Sequence, residues 1–188
     1  MEVVDRAIDL LKVDAATDTV IDIGAGDGRF MLRCCERTGS QLIGVEIDEE
    51  RGAEAQAKID GAGDEIRNKC RLIIGNALEQ DYSMGTAFFL YLIPRGLRIV
   101  LPILQAIPRK IRVVTYISPF PDSVKPVEIV RVNIEKHADA GVEWPLFVYE
   151  LNGEREIGGE GGERAEGGGA ATAAEGKEAL SVLNLPAA

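Results

Sequence analysis

Residues 20–28 read VIDIGAGDG, and they join a buried strand to a glycine turn that opens a helix. Val20, Ile21 and Ile23 form a short apolar run of the kind that fills a parallel sheet. Gly24 allows a tight turn, and Gly26 and Gly28 let a ligand approach the backbone closely. The hydrophobic period becomes helical at Arg29, so the amides of residues 26–30 are expected to face a ligand at a positive helix end. Such a junction points to a nucleotide-like cofactor.

Dinucleotide sites use the spacing G-x-G-x-x-G, and here Arg29 stands where the last glycine would fall. Asp22 and Asp27 bracket the glycines. Carboxylates beside a doubly negative pyrophosphate cost Coulomb energy, whereas a zwitterionic ligand bearing a sulfonium tolerates them. S-adenosylmethionine meets that description; a dinucleotide or a purely structural turn is the alternative.

Two later segments fall in phase with this one. Residues 41–46, QLIGVE, read as the next strand and end on Glu46, where doubly wound folds place the acid that holds ribose hydroxyls. The other reading of Glu46 is a helix cap near Asp48 and Glu49. Residues 71–79, RLIIGNALE, give a strand ending at Gly75, followed by Asn76 on the ligand-facing rim. Asn76 can meet an adenine edge or can serve as a turn residue.

Together these segments resemble the class I S-adenosylmethionine-dependent methyltransferases over roughly residues 1–151. The resemblance implies that Asp22, Gly24, Gly26 and Asp27 cradle the methionine moiety, that Glu46 holds the ribose, and that Asn76, in place of the usual Asp, and Ala77 touch adenine. It also implies an α/β, Rossmann-like doubly wound sheet of seven strands in the order 3-2-1-4-5-7-6, with the last strand antiparallel. The pattern supplies strands near Val20, Leu42, Leu72, Phe88 and Val113. Two more span 127–135 and 146–151, around a polar loop with Asp139, Ala140 and Gly141. Residues 1–13 read as an amphipathic helix with Val4, Ile8 and Leu11 on one side. Leu97, Val100, Leu101 and Leu104 mark another, which Pro102 is expected to kink or restart.

The acceptor site is expected beyond strands four and five, where Tyr91, Pro94, Tyr116, Pro119 and Phe120 make an aromatic, proline-lined rim. The Asn/Asp, two-proline and aromatic set of adenine and glutamine methyltransferases is absent. The Tyr-Leu-Ile-Pro and Ser-Pro-Phe-Pro segments instead resemble the protein-lysine methyltransferases of mitochondrial inner-membrane carriers and the ATP synthase c subunit, with their bacterial relatives. Tyr91 and Tyr116 are then the catalytic candidates, orienting the amine, although a tyrosine at a strand end is as often core. A small-molecule methyltransferase and a non-catalytic adapter on the same fold are the alternatives.

The methyltransferase domain is expected to span 1–152. Residues 153–188 form an acidic tail of Gly, Glu and Ala, too poor in apolar side chains to order itself, with a small cluster at Leu180, Val182, Leu183 and Leu185. The formal net charge is −10. That argues against a nucleic-acid binder and leans toward basic partners such as lysine-rich peptides. Three cysteines, Cys34, Cys35 and Cys70, suggest neither a disulfide framework nor a metal set, and point to the cytoplasm or another reducing compartment. His137, the one histidine, excludes a multi-histidine metal site. No signal peptide or membrane-spanning run is read.

Overall fold

The computed structural model describes residues 2–133 and 143–153. Its seven strands are β1 (Thr19–Ile23), β2 (Gln41–Glu46), β3 (Cys70–Ile74), β4 (Ala87–Leu90), β5 (Ile111–Tyr116), β6 (Glu128–Asn133) and β7 (Glu143–Leu151). They form one sheet in the order β3-β2-β1-β4-β5-β7-β6, with β7 antiparallel to both neighbours, as the resemblance implies. The helices are α1 (Glu2–Leu11), α2 (Arg29–Thr38), α3 (Glu49–Gly61), α4 (Asp64–Arg67) and α5 (Pro94–Gln105).

Side chains alternate across a strand, and this divides the core into two layers. Val20, Phe89, Tyr91, Val114, Tyr116 and Leu146 lie on the face covered by α1 and α2. Ile21, Ile23, Phe88, Leu90, Val113 and Tyr149 lie on the other, under α5. Asp22 shares a row with Gly44 on one side and Phe89 on the other. α1 is tied to α2 by charge: Arg33 donates to Asp5 at 2.7 and 3.2 Å, and Arg37 donates to Asp9 at 2.7 Å.

Three expectations change in detail. The sixth strand starts at Glu128 rather than Val127 and runs to Asn133, residues 134 and 135 lying outside the described residues, and β7 begins at Glu143 rather than Leu146. Pro145 sits inside β7 in register with Arg131. Pro102 neither breaks nor restarts α5; it lies on the exposed side, where water can replace the lost hydrogen bond. His137, the 139–141 loop and the tail from 154 onward with its leucine cluster lie outside the described residues. All three cysteines are free and buried. Among the described residues no helix is long and apolar enough to cross a membrane.

Close packing under β2 gives a direct test. A Cβ at Gly44 would lie 2.2 Å from the Met31 sulfur and 3.0 Å from the Ala25 Cβ. Gly44→Ala is therefore expected to destabilise the fold by about 1–3 kcal/mol. The check is a lower urea midpoint with an unchanged slope.

Candidate functional site

The turn after β1 is shaped by β2. The Val45 carbonyl accepts from the amides of both Gly24 and Ala25, at 2.9 and 3.0 Å. One Glu46 carboxylate oxygen accepts from the Gly26 amide at 2.7 Å, and the other from the Asp48 amide at 2.9 Å. Gly24, Gly26 and Gly28 take φ values of 83°, 56° and 77°, in the region that side-chain-bearing residues resist. Gly28 also packs tightly on α3, where an added Cβ would lie 3.1 Å from that of Ala55.

Three of the amides of residues 26–30, which were expected to face a ligand together, are already engaged. Gly26 is taken by Glu46, Gly28 donates to the Ala25 carbonyl at 3.0 Å, and Arg29 to the Asp27 carboxylate at 3.3 Å. The loop offers a bare floor rather than a ring of free donors.

Above this floor a cleft opens to solvent. Six residues singled out in the sequence meet on it: Asp22, Gly24, Gly26, Asp27, Tyr91 and Tyr116. Glu46, Asn76 and Ala77 do not line it. Glu46 is 2 % exposed and braces the loop from beneath. The Asn76 side chain caps a 3-10 turn (Ala77–Glu79), accepting from Leu78 N at 3.0 Å and donating to Glu79 at 3.1 Å. That is the turn role considered for it. Ala77 is buried, and its carbonyl accepts from the Tyr82 hydroxyl at 2.8 Å.

The two aspartates are held in opposite ways. Asp22 is buried, and its Oδ2 has no hydrogen-bond partner among the described residues. Burial first, and then the charges of Glu46 and Asp27, hold its carboxyl well above the ordinary value. For Asp27, partial burial opposes ionisation, but hydrogen bonds from Arg29 at 2.9 Å and Lys58 at 2.9 Å win and hold it far below the usual range. Asp27 is thus committed to two cations.

On the opposite wall the Tyr91 and Tyr116 ring centroids lie 4.8 Å apart at 44°. Burial raises the pKa of both, and for Tyr116 the neighbouring Tyr91 adds to it, so both are neutral phenols. The sequence reading missed the rest of the lining. Phe30 and Phe89 stack at 4.1 Å and 12°, Val3 and Val4 close one side, and the Arg29 and Arg51 side chains edge the floor. Trp144 stands 6.2 Å from Tyr116, and its buried ring nitrogen has no partner among the described residues. Period-two alternation from Asp22 and Tyr91 is the signal that finds Phe89.

Solved structures share this architecture. One is an RNA methyltransferase from Salinibacter ruber in complex with S-adenosyl-L-homocysteine: TM-score 0.70, 26% identity, over 83% of this chain and 94% of that one. A geranyl diphosphate C-methyltransferase from Streptomyces coelicolor, with S-adenosyl-L-homocysteine, matches at TM-score 0.57 and 15% identity, over 77% and 76%. A precorrin-6y C5,15-methyltransferase from Geobacter metallireducens matches at TM-score 0.61 and 13% identity, over 78% and 85%. No family model and no curated protein matches the chain. The fold is that of the S-adenosylmethionine-dependent methyltransferases.

The raised pKa of Asp22 has a measurable effect. The folded state binds this proton more tightly than the unfolded chain does. The stabilisation is therefore full below the ordinary value of 3.8 and is lost as pH rises from there through the raised folded value. Asp22→Asn, neutral throughout, is expected to flatten that part of the stability profile. Urea melts of both proteins from pH ~4 upward measure it.

Proposed function

We propose that this protein is an S-adenosylmethionine-dependent methyltransferase whose acceptor is a lysine amine on a protein. The observation that carries this is that the unpartnered Asp22 carboxylate and the Tyr91–Tyr116 pair belong to one cavity. The residues present suit the cofactor. Asp22 can take its ammonium, and the Arg29 and Arg51 guanidiniums on the wall suit its carboxylate. The bare glycine floor admits its backbone, and the Phe30, Phe89 and Tyr91 rings suit a sulfonium. Each Glu46 oxygen holds one amide and keeps lone-pair capacity for a ribose hydroxyl. Asn76 and Ala77 are the adenine residues by resemblance.

When bound, the cofactor supplies an electrophilic methyl group on sulfur. The protein's own work is to hold the acceptor nitrogen in line, and such alignment is worth about 7–11 kcal/mol of barrier. A lysine ammonium entering between Val3, Val4 and the tyrosine rings loses water, which lowers its pKa from ~10.4 and favours the neutral amine. The Tyr91 and Tyr116 hydroxyls can then accept its remaining hydrogens and aim its lone pair. No acid–base group beyond these is required.

One observation favours a second reading, in which the acceptor is RNA: the Salinibacter enzyme, at 26% identity, is an RNA methyltransferase. It weighs against the expectation drawn from a net charge of −10, which is a sum over the chain and says nothing of local surface. Arg95 and Arg98, exposed at the start of α5, lie at the rim where phosphates would approach.

Calorimetry is expected to show binding of S-adenosylmethionine and S-adenosylhomocysteine but not NAD. Glu46→Ala should weaken that binding by about 1.5–3 kcal/mol. In cell extract given methyl-labelled cofactor, a labelled lysine in protein supports the proposal. Label confined to RNA establishes the second reading, and label in metabolites alone excludes both. Tyr91→Phe and Tyr116→Phe are expected to lower turnover and leave cofactor affinity intact.

A further inference from the structure

The chain leaves β5 through a turn that its sequence should avoid. Ile117 has a φ of 67°, a value at which a β-branched residue is an outlier. The Ser118 amide donates back to the Tyr116 carbonyl at 2.8 Å, so Ile117 is the centre of a three-residue turn of the rare, strained hand. Strain of this kind persists only where the surroundings over-determine it. They do so here. The Ile117 amide donates to the Pro145 carbonyl at 2.9 Å, and the Thr115 hydroxyl to the Ser118 carbonyl at 2.7 Å. The Phe120 amide donates to the Tyr149 hydroxyl at 3.0 Å, and the two rings pack at 4.8 Å.

Glycine would adopt this turn freely, yet the sequence keeps a large apolar side chain. That side chain is partly buried against the core cluster that contains Tyr91 and Tyr116, as is Trp144. The turn therefore fixes the end of β5 and backs the aromatic wall from behind. We propose that Ile117 is a positioning residue, and that its strained turn holds Tyr116 and Trp144 in the orientation that aligns the methyl acceptor. The inference rests on the methyltransferase reading above for its effect on turnover, but not for its effect on the wall.

Trp144 is the single tryptophan of the chain and so reports on the wall directly. In Ile117→Gly, relief of the turn offsets lost packing, so the thermal midpoint and the affinity for S-adenosylhomocysteine should stay close to those of the parent. Trp144 emission should shift to the red and become easier to quench with acrylamide. With poly-L-lysine as acceptor and labelled S-adenosylmethionine, kcat should fall roughly ten- to hundred-fold, and Ile117→Val should recover most of it. Unchanged Trp144 emission or parental kcat in Ile117→Gly would overturn the proposal. So would a joint collapse of midpoint, cofactor affinity and turnover, because that would make Ile117 merely structural. If the parent protein leaves poly-L-lysine unlabelled, the lysine reading fails, while the fluorescence and binding measurements still decide the role of Ile117.

Discussion

The last two residues of β2 clasp the glycine loop, and the rest of the site follows from that clasp. Val45 takes two successive amides through its carbonyl, and Glu46 takes the next through its carboxylate. With these donors satisfied, the three glycines hold left-handed backbone without side chains, and the loop lies flat at the sheet edge. The same clasp brings three carboxylates close together. Glu46 is tied to backbone, Asp27 is turned to Arg29 and Lys58, and Asp22, which lines the cavity, is left with a buried, unpartnered oxygen. Crowding like charges in a desolvated place is costly unless a ligand uses it, and an ammonium is the group that would.

Alternation along the strands puts the two halves of the chemistry on one face. Asp22, Phe89, Tyr91 and Tyr116 all lie on the α1–α2 side of the sheet, so the group proposed to take a cofactor ammonium and the rings proposed to receive an acceptor share a wall. The opposite face packs under α5. A shift of one residue in the register of β4 would send Phe89 and Tyr91 to that other side.

Much of this could be read from the sequence because the glycine loop, Glu46 and the β-rich runs are local signals with fixed spacing. The α5 face could be read for the same reason: Leu97, Val100, Leu101 and Leu104 repeat at helical intervals, and all are buried. Strand order came from resemblance, since periodicity does not say which strands are neighbours. What escaped depends on partners far along the chain. Asp27 is neutralised by Lys58, 31 residues away, and the Gly26 amide is taken by Glu46, 20 residues away. Trp144 lies two residues before the expected start of the last strand and was not singled out. Asn76 could be read either way, and its short-range bonds to Leu78 and Glu79 show the turn role.

α1 supplies Val3 and Val4 to the cavity and, apart from its ion pairs with α2, rests on strands that come late in the chain. Its neighbours include β4, β5 and β7, and the Lys12 carbonyl beyond its end accepts from Arg112, 100 residues on. A ribosome delivers α1 before any of these strands exists. The helix is therefore made early and buried late, and through that interval its apolar side needs shelter from water or from other chains. The cavity wall that α1 completes is one of the last parts of the molecule to form, because α1 settles only when the strands beneath it are in the sheet.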